Sequence, residues 1–203
     1  MFDKEKLLEN LRRRDFDPYY FETGEEAIKK ILEMIPHDAT VGYGGSVTLD
    51  TLKIKDKLKE RGNTLLGRLP DKDSKESLRL MHEALLSDYF LMSTNALTLE
   101  GELFNIDGRG NRLAALLYGP KYVFIVLGVN KIVKDFDSAY DRVRNLAAPK
   151  NSERLNCNTP CRTLNRCMDC KSPDCICCHM VRTRKSMEKD RIKIFIINEE
   201  LGF

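Results

Sequence analysis

Apolar positions along this chain change period repeatedly. In residues 2–14 and 24–35 they recur at helical spacing, and in the second run Thr23 is placed to cap a face made by Ile28, Ile31, Leu32 and Ile35. "DATVGYGG" then reads as a short strand entering a glycine turn. "SVTLDTLKIKDKLKERG" reads as one helix closed by Gly62. "NTLLGRL" predicts a strand, and "DSKESLRLMHEALLS" a helix capped by Asp73 or Ser74. "DYFLMSTNALT" and "GELFNIDG" predict two strands joined near Glu100–Gly101. Further on, "NRLAALLYG" predicts a short helix, "KYVFIVLG" a buried strand, "DFDSAYDRVRNLAA" a helix and "RIKIFIINEELGF" a last strand.

Strands and helices in alternation, with apolar strands such as "VFIVLG", predict an α/β fold: a mainly parallel sheet with helices on both faces. No internal repeat divides the chain, so residues 1–203 read as a single domain. "AAPKNSERLN" reads as a linker leading into a cysteine-rich insertion at 157–178, placed before the last strand.

Composition narrows the function classes. Of 203 residues, 42% are hydrophobic and 32% charged, which suffices for a buried core. A net charge of +3 is too small to argue for nucleic acid or a membrane surface. No apolar run reaches the ~20 residues of a membrane span. The charged stretch "MFDKEKLLENLRRRDFD" lacks the apolar core of a signal peptide, so the expected location is cytoplasmic. All seven cysteines fall within 157–178, and cytosolic thiols stay reduced. A metal centre is therefore expected rather than disulfides.

Two polar regions invite a ligand. In "VGYGGSVTL", Gly42, Gly44, Gly45, Ser46 and Thr48 lie between a strand and a helix, where backbone N–H groups can meet a carboxylate or phosphate. The same pattern also makes a plain turn with Ser46 as N-cap, and it is neither a Walker A loop nor GxGxxG. In "STNALTLEGELFNIDGRGNR", Asn95, Glu102, Asp107, Asn111 and Arg112 gather at strand ends, joined by Lys131 from "LGVNKIV". A hairpin with Asx-turns explains many of these residues equally well. Glu102 and Asp107 are the carboxylates available as base or nucleophile. The basic stretch after Lys171 has no interleaved aromatics, which argues against nucleic acid.

"GYGGSVTL", "STNALTLEGELFNIDGRGNRLAALLYGPKYVFIVLGVNKIV" and "RVRNLAAPKN" resemble the lactate-utilisation (LUD) domain family, in order across roughly residues 15–150. The resemblance implies a fold similar to ribose-5-phosphate isomerases and CoA transferases. It also implies a redox role beside iron–sulfur partner proteins in oxidising a small hydroxy acid such as lactate. The tail resembles a subset of the family, which implies Cys161, Cys167, Cys170 and Cys177 as metal ligands. Cys157, Cys175 and Cys178 depart from that pattern, leaving Cys175 or Cys178 as a substitute fourth ligand. Zinc commonly uses two short cysteine pairs, whereas here only Cys167–Cys170 has a two-residue spacer within that set. A [4Fe–4S] cluster is expected over zinc, its rival. The other functional reading is a non-redox isomerase- or CoA-transferase-like enzyme on a small phosphorylated or acyl substrate, with a structural zinc site.

Overall fold

A computed structural model of the chain describes residues 2–71 and 74–203. Helix α1 (Lys4–Arg12) leads into strand β1 (Asp17–Phe21), α2 (Gly24–Met34), β2 (Thr40–Tyr43), α3 (Val47–Thr51), α4 (Ile54–Glu60), β3 (Thr64–Gly67) and α5 (Lys75–Glu83). Strands β4 (Tyr89–Met92), β5 (Ala96–Thr98) and β6 (Leu103–Asp107) follow, then α6 (Asn111–Leu117), β7 (Tyr122–Gly128) and β8 (Ile132–Val133). Helices α7 (Phe136–Arg142), α8 (Ala148–Arg154) and α9 (Pro160–Leu164) precede β9 (His179–Thr183) and β10 (Ile192–Ile197).

Local chemistry accounts for the helix starts. Thr23 and Glu26 form a reciprocal capping box at α2, and Asp3 accepts from the Lys6 amide to open α1. Ser74 caps α5, while the other expected cap, Asp73, lies outside the described residues. The single helix expected over 46–62 is instead two, broken at Lys53, which adopts φ 52°. At about 100° per residue, a straight helix would set Leu49 and Leu52 nearly opposite Ile54 and Leu58. The break lets all four bury.

Six strands form one parallel sheet in the order β1-β10-β7-β4-β2-β3. Alternate residues of its central strands feed two cores. Val123, Ile125 and Leu127 pack towards α1 and α6, while Phe124 and Val126 pack towards α2, α3 and α4. Both faces are covered, which is why these strands read as unbroken apolar runs. Strand β1 escaped the periodicity reading because it opens with Asp17–Pro18. It is an edge strand, where proline is tolerated, and Tyr19 stacks on Phe195 at 5.2 Å.

The run "DYFLMSTNALT" is not one strand. It bends at Ser93–Asn95, so β4 stays in the large sheet and β5 enters a second sheet, ordered β8-β5-β6-β9. Asn95 makes the bend possible, its amide oxygen accepting from the Ile106 amide at 3.0 Å. Helix α7 covers this small sheet through Ala139 against Phe104 and Ile106. The expected linker "AAPKNSERLN" is largely helix α8, with Pro149 in its first turn, where a missing N–H costs little. A π-helical turn, Val143–Ala147, joins α7 to α8. Among the described residues no helix is long and apolar enough to cross a membrane.

Candidate functional site: a basic crevice beside a cysteine cavity

A crevice of about 210 Å³ opens beyond the C-terminal ends of β2, β4 and β7. The chain supplies Ser46 after β2, Ser93–Asn95 after β4 and Lys131 after β7, the usual ligand edge of an open α/β sheet. Lys131 is 3% exposed, and its ammonium donates to Ser93 Oγ at 2.9 Å and to Thr48 Oγ1 at 3.0 Å. Burial, followed by the nearby Arg142 and Arg112 charges, pushes its pKa down to about 7. Arg142 holds the floor: its guanidinium donates to the Asn95 carbonyl at 2.7 Å and the Asn130 carbonyl at 3.1 Å. Asn130 in turn grips the segment behind Lys131, donating to the Gly202 carbonyl and accepting from the Leu201 amide, each at 3.1 Å.

Asp107 and Arg112 form the opposite wall. The Asp107 carboxylate accepts from Arg112 Nε at 2.9 Å and from the Gly110 amide at 3.1 Å. Arg112 also donates to the Ile106 carbonyl at 2.8 Å, so its guanidinium is fixed in place. Arg68, which follows β3, and Arg154 on α8 add two more cations to the lining.

Next to the crevice lies a second cavity of about 60 Å³, lined by Cys161, Cys167, Cys170, Cys175 and Cys177. The π-helical turn aims two side chains at Cys167. Arg144 donates to its sulfur at 3.1 and 3.3 Å, and Asn145 accepts from its amide at 3.1 Å. Burial, then the fields of Cys175, Cys167 and Cys161, pushes the Cys177 thiol up to about 12, so these thiols act on one another across the cavity. Cys157 lines the crevice instead, and Cys178 is exposed. Among the described residues no three Cys, His, Asp or Glu side chains are gathered closely enough to hold a single metal ion. Ile176 lines both cavities.

A family model for the LUD domain matches residues 4–197. The chain belongs to the LUD-domain family. That family is linked broadly to lactate utilisation. A DUF162 family protein from Deinococcus radiodurans has a similar structure, with a TM-score of 0.50 over 97% of this chain and 99% of that one, at 15% identity. At that identity the likeness concerns the fold. No curated protein matches the chain.

Within this LUD domain the residues expected at a site fall into three groups. Gly45, Ser46, Asn95, Asp107, Asn111, Arg112 and Lys131 line the crevice. Thr48 stands behind Lys131, and Gly44 lies against the Arg112 side chain. Ser46 spends its hydroxyl capping α3, which has only five residues, so the crevice's cations rather than a helix end provide its charge. Gly42 is elsewhere: a Cβ there would meet Ser87, Phe90 and the Ala84 carbonyl at 2.6–2.8 Å, so it is a packing glycine. Glu102 is also outside the crevice. It is buried in the small sheet with Arg182 at 2.5 Å, Arg14 at 3.3 Å and Arg184 at 3.7 Å. Sequence reading missed Ser93, Arg68 and Arg154. Ser93 sat inside a run read as continuous strand, and Arg154 inside one read as linker.

Proposed function

We propose that this LUD-domain protein is a redox component of hydroxy-acid utilisation. On this reading the crevice binds a small hydroxy acid such as lactate through its carboxylate, and Cys161, Cys167, Cys170 and Cys177 hold a [4Fe–4S] cluster. The observation that carries it is the wall common to the two cavities, formed by Ile176. The donor set suits the cluster: thiols spread around a cavity rather than converging on a point, with Arg144 offsetting thiolate charge at Cys167. When bound, such a cluster carries one electron at a time, so a two-electron oxidation calls on iron–sulfur partner proteins.

The chain's own residues would handle the anion and the proton. Below pH 7 the Lys131 ammonium holds a carboxylate; above it, the neutral amine can accept the proton a hydroxyl gives up. Arg112, fixed by Asp107, orients the ligand. An isomerase- or CoA-transferase-like reaction needs a free carboxylate as base or nucleophile. Glu102 and Asp107 are both committed to arginines, which favours the redox reading.

The test is anaerobic purification with iron, sulfide and zinc analysis. About four irons and four sulfides per chain are expected, with broad absorbance near ~400 nm that bleaches on reduction. Colourless protein with stoichiometric zinc would overturn the reading.

A further inference from the structure

The crevice carries more positive charge than one carboxylate needs. Lys131, Arg68, Arg112 and Arg154 line it, against one acidic side chain among the described residues, Asp107, with the last residue, Phe203, also in the lining. Asp107 already neutralises Arg112 through the 2.9 Å pair. Arg154 donates to the Asn151 amide oxygen alone, at 2.6 and 3.0 Å, and meets no carboxylate at ion-pair distance among the described residues. The acid nearest in effect, Asp50, is held by Lys55 at 2.5 Å. Arg68, half-buried, has no side-chain hydrogen bond or ion pair among the described residues. Arg109 lines the crevice too but has a partner of its own, so it does not enter the count.

The excess is arranged in two places. Lys131 sits deep, hydrogen-bonded to Ser93 and Thr48. Arg68 and Arg154 act on each other nearer the rim, where partial burial and then the Arg68 charge press the Arg154 pKa down. Val47, Met81 and Ile106 supply apolar lining. At about 210 Å³ the space is smaller than the ~300 Å³ at which pockets for drug-sized ligands begin, which suits a small acid.

We infer that the ligand is a small hydroxy acid with two separate anionic groups, its carboxylate at Lys131 and the second group at Arg68 and Arg154. The inference rests on the crevice being the binding site for a small hydroxy acid, as proposed above, and names its substrate class. A monocarboxylate would leave the two rim arginines repelling each other. A second anionic group between them forms charge-assisted hydrogen bonds and removes that repulsion. The second group is a carboxylate or a phosphate; either presents oxygens to a guanidinium fork.

Calorimetric titration of the whole protein at low salt, with L-lactate, L-malate and 3-phosphoglycerate as probes, tests this. Both probes with two anionic groups should bind at least about tenfold tighter than lactate, and the tighter of the two identifies the second group. Arg154→Gln and Arg68→Gln should each lower the affinity for the two-anion probes relative to lactate about tenfold, while Arg68→Lys retains most of it. Unchanged melting temperatures would show that the variants fold. Lactate binding as tightly as malate and 3-phosphoglycerate, with the ratio unmoved by either arginine variant, would overturn the inference and leave the crevice reading standing. Failure of all three probes to bind would overturn both.

Discussion

The Lys131 ammonium lies 2.9 Å from the Ser93 hydroxyl, so a cation following β7 is tied to the end of β4, its neighbour in the sheet. This contact leaves Lys131 almost without water and makes its charge state sensitive near neutral pH. Its folded pKa is about 7 against an ordinary 10.5, so between those values the unfolded chain binds a proton that the folded chain does not. Stability should therefore rise with pH across that window. Urea unfolding at pH 7 and 9 should show this rise in the wild type and lose most of it in Lys131→Met. Equal slopes would mean Lys131 titrates normally. Anion affinity should move the other way, falling as pH rises through about 7.

Two neighbouring glycines, Gly42 within β2 and Gly45 in the turn after it, should behave oppositely. A Cβ at Gly45 meets nothing within 4 Å, and Gly45 lines the crevice. Gly45→Leu should melt near the wild-type temperature yet lose anion binding. Gly42→Ala drives a Cβ into the Ala84 carbonyl and the Phe90 ring, and should cost about 1–3 kcal/mol. Binding retained by Gly45→Leu would remove the turn from the site.

Glu102→Gln separates a structural carboxylate from a catalytic one. Its loss leaves Arg182, Arg14 and Arg184 facing one another. Because those arginines are partly solvated, we expect about 2 kcal/mol of destabilisation, below the range for a fully buried pair. Anion affinity in the crevice should not change. A large drop in affinity would restore Glu102 to the site.

Serine replacements test the proposed metal ligands and the choice of the fourth. Cys178→Ser and Cys157→Ser should keep the full iron content, since neither side chain lines the cysteine cavity. Cys161→Ser, Cys167→Ser and Cys170→Ser should each lose most of it. Cys177→Ser and Cys175→Ser are the deciding pair: whichever retains iron was not a ligand.

The parallel sheet and its two-sided core were legible because β7, and β10 apart from Lys193, are apolar throughout, and only double burial demands that. The crevice was legible in part, because Asn95, Asp107 and Lys131 follow strand ends. What escaped notice depended on direction rather than type. Nothing local in "MSTN" says that the chain changes sheets at Ser93. Nothing in "PKNSER" says that Arg154 turns towards a strand end more than a hundred residues earlier, at Ser46. Glu102 and Gly42 had the right chemistry for a site, but Glu102, just before β6, is spent on three arginines, and Gly42, within β2, is packed against Ser87, Phe90 and Ala84.

Ile176 gives the two cavities a common boundary, and the backbone of Gly108 approaches it so closely that a Cβ there would stand 3.5 Å from Ile176 Cα. Such a partition makes occupancy on one side a thermodynamic variable of the other. On the proposed reading, filling the cysteine cavity would fix the loop that bounds the crevice, and a ligand arriving afterwards would have less left to order. Linkage then requires the converse in equal measure: whatever factor metal loading adds to anion affinity, the anion adds to metal affinity. A chelator would therefore weaken anion binding without entering the crevice, and saturating anion would slow the chelator.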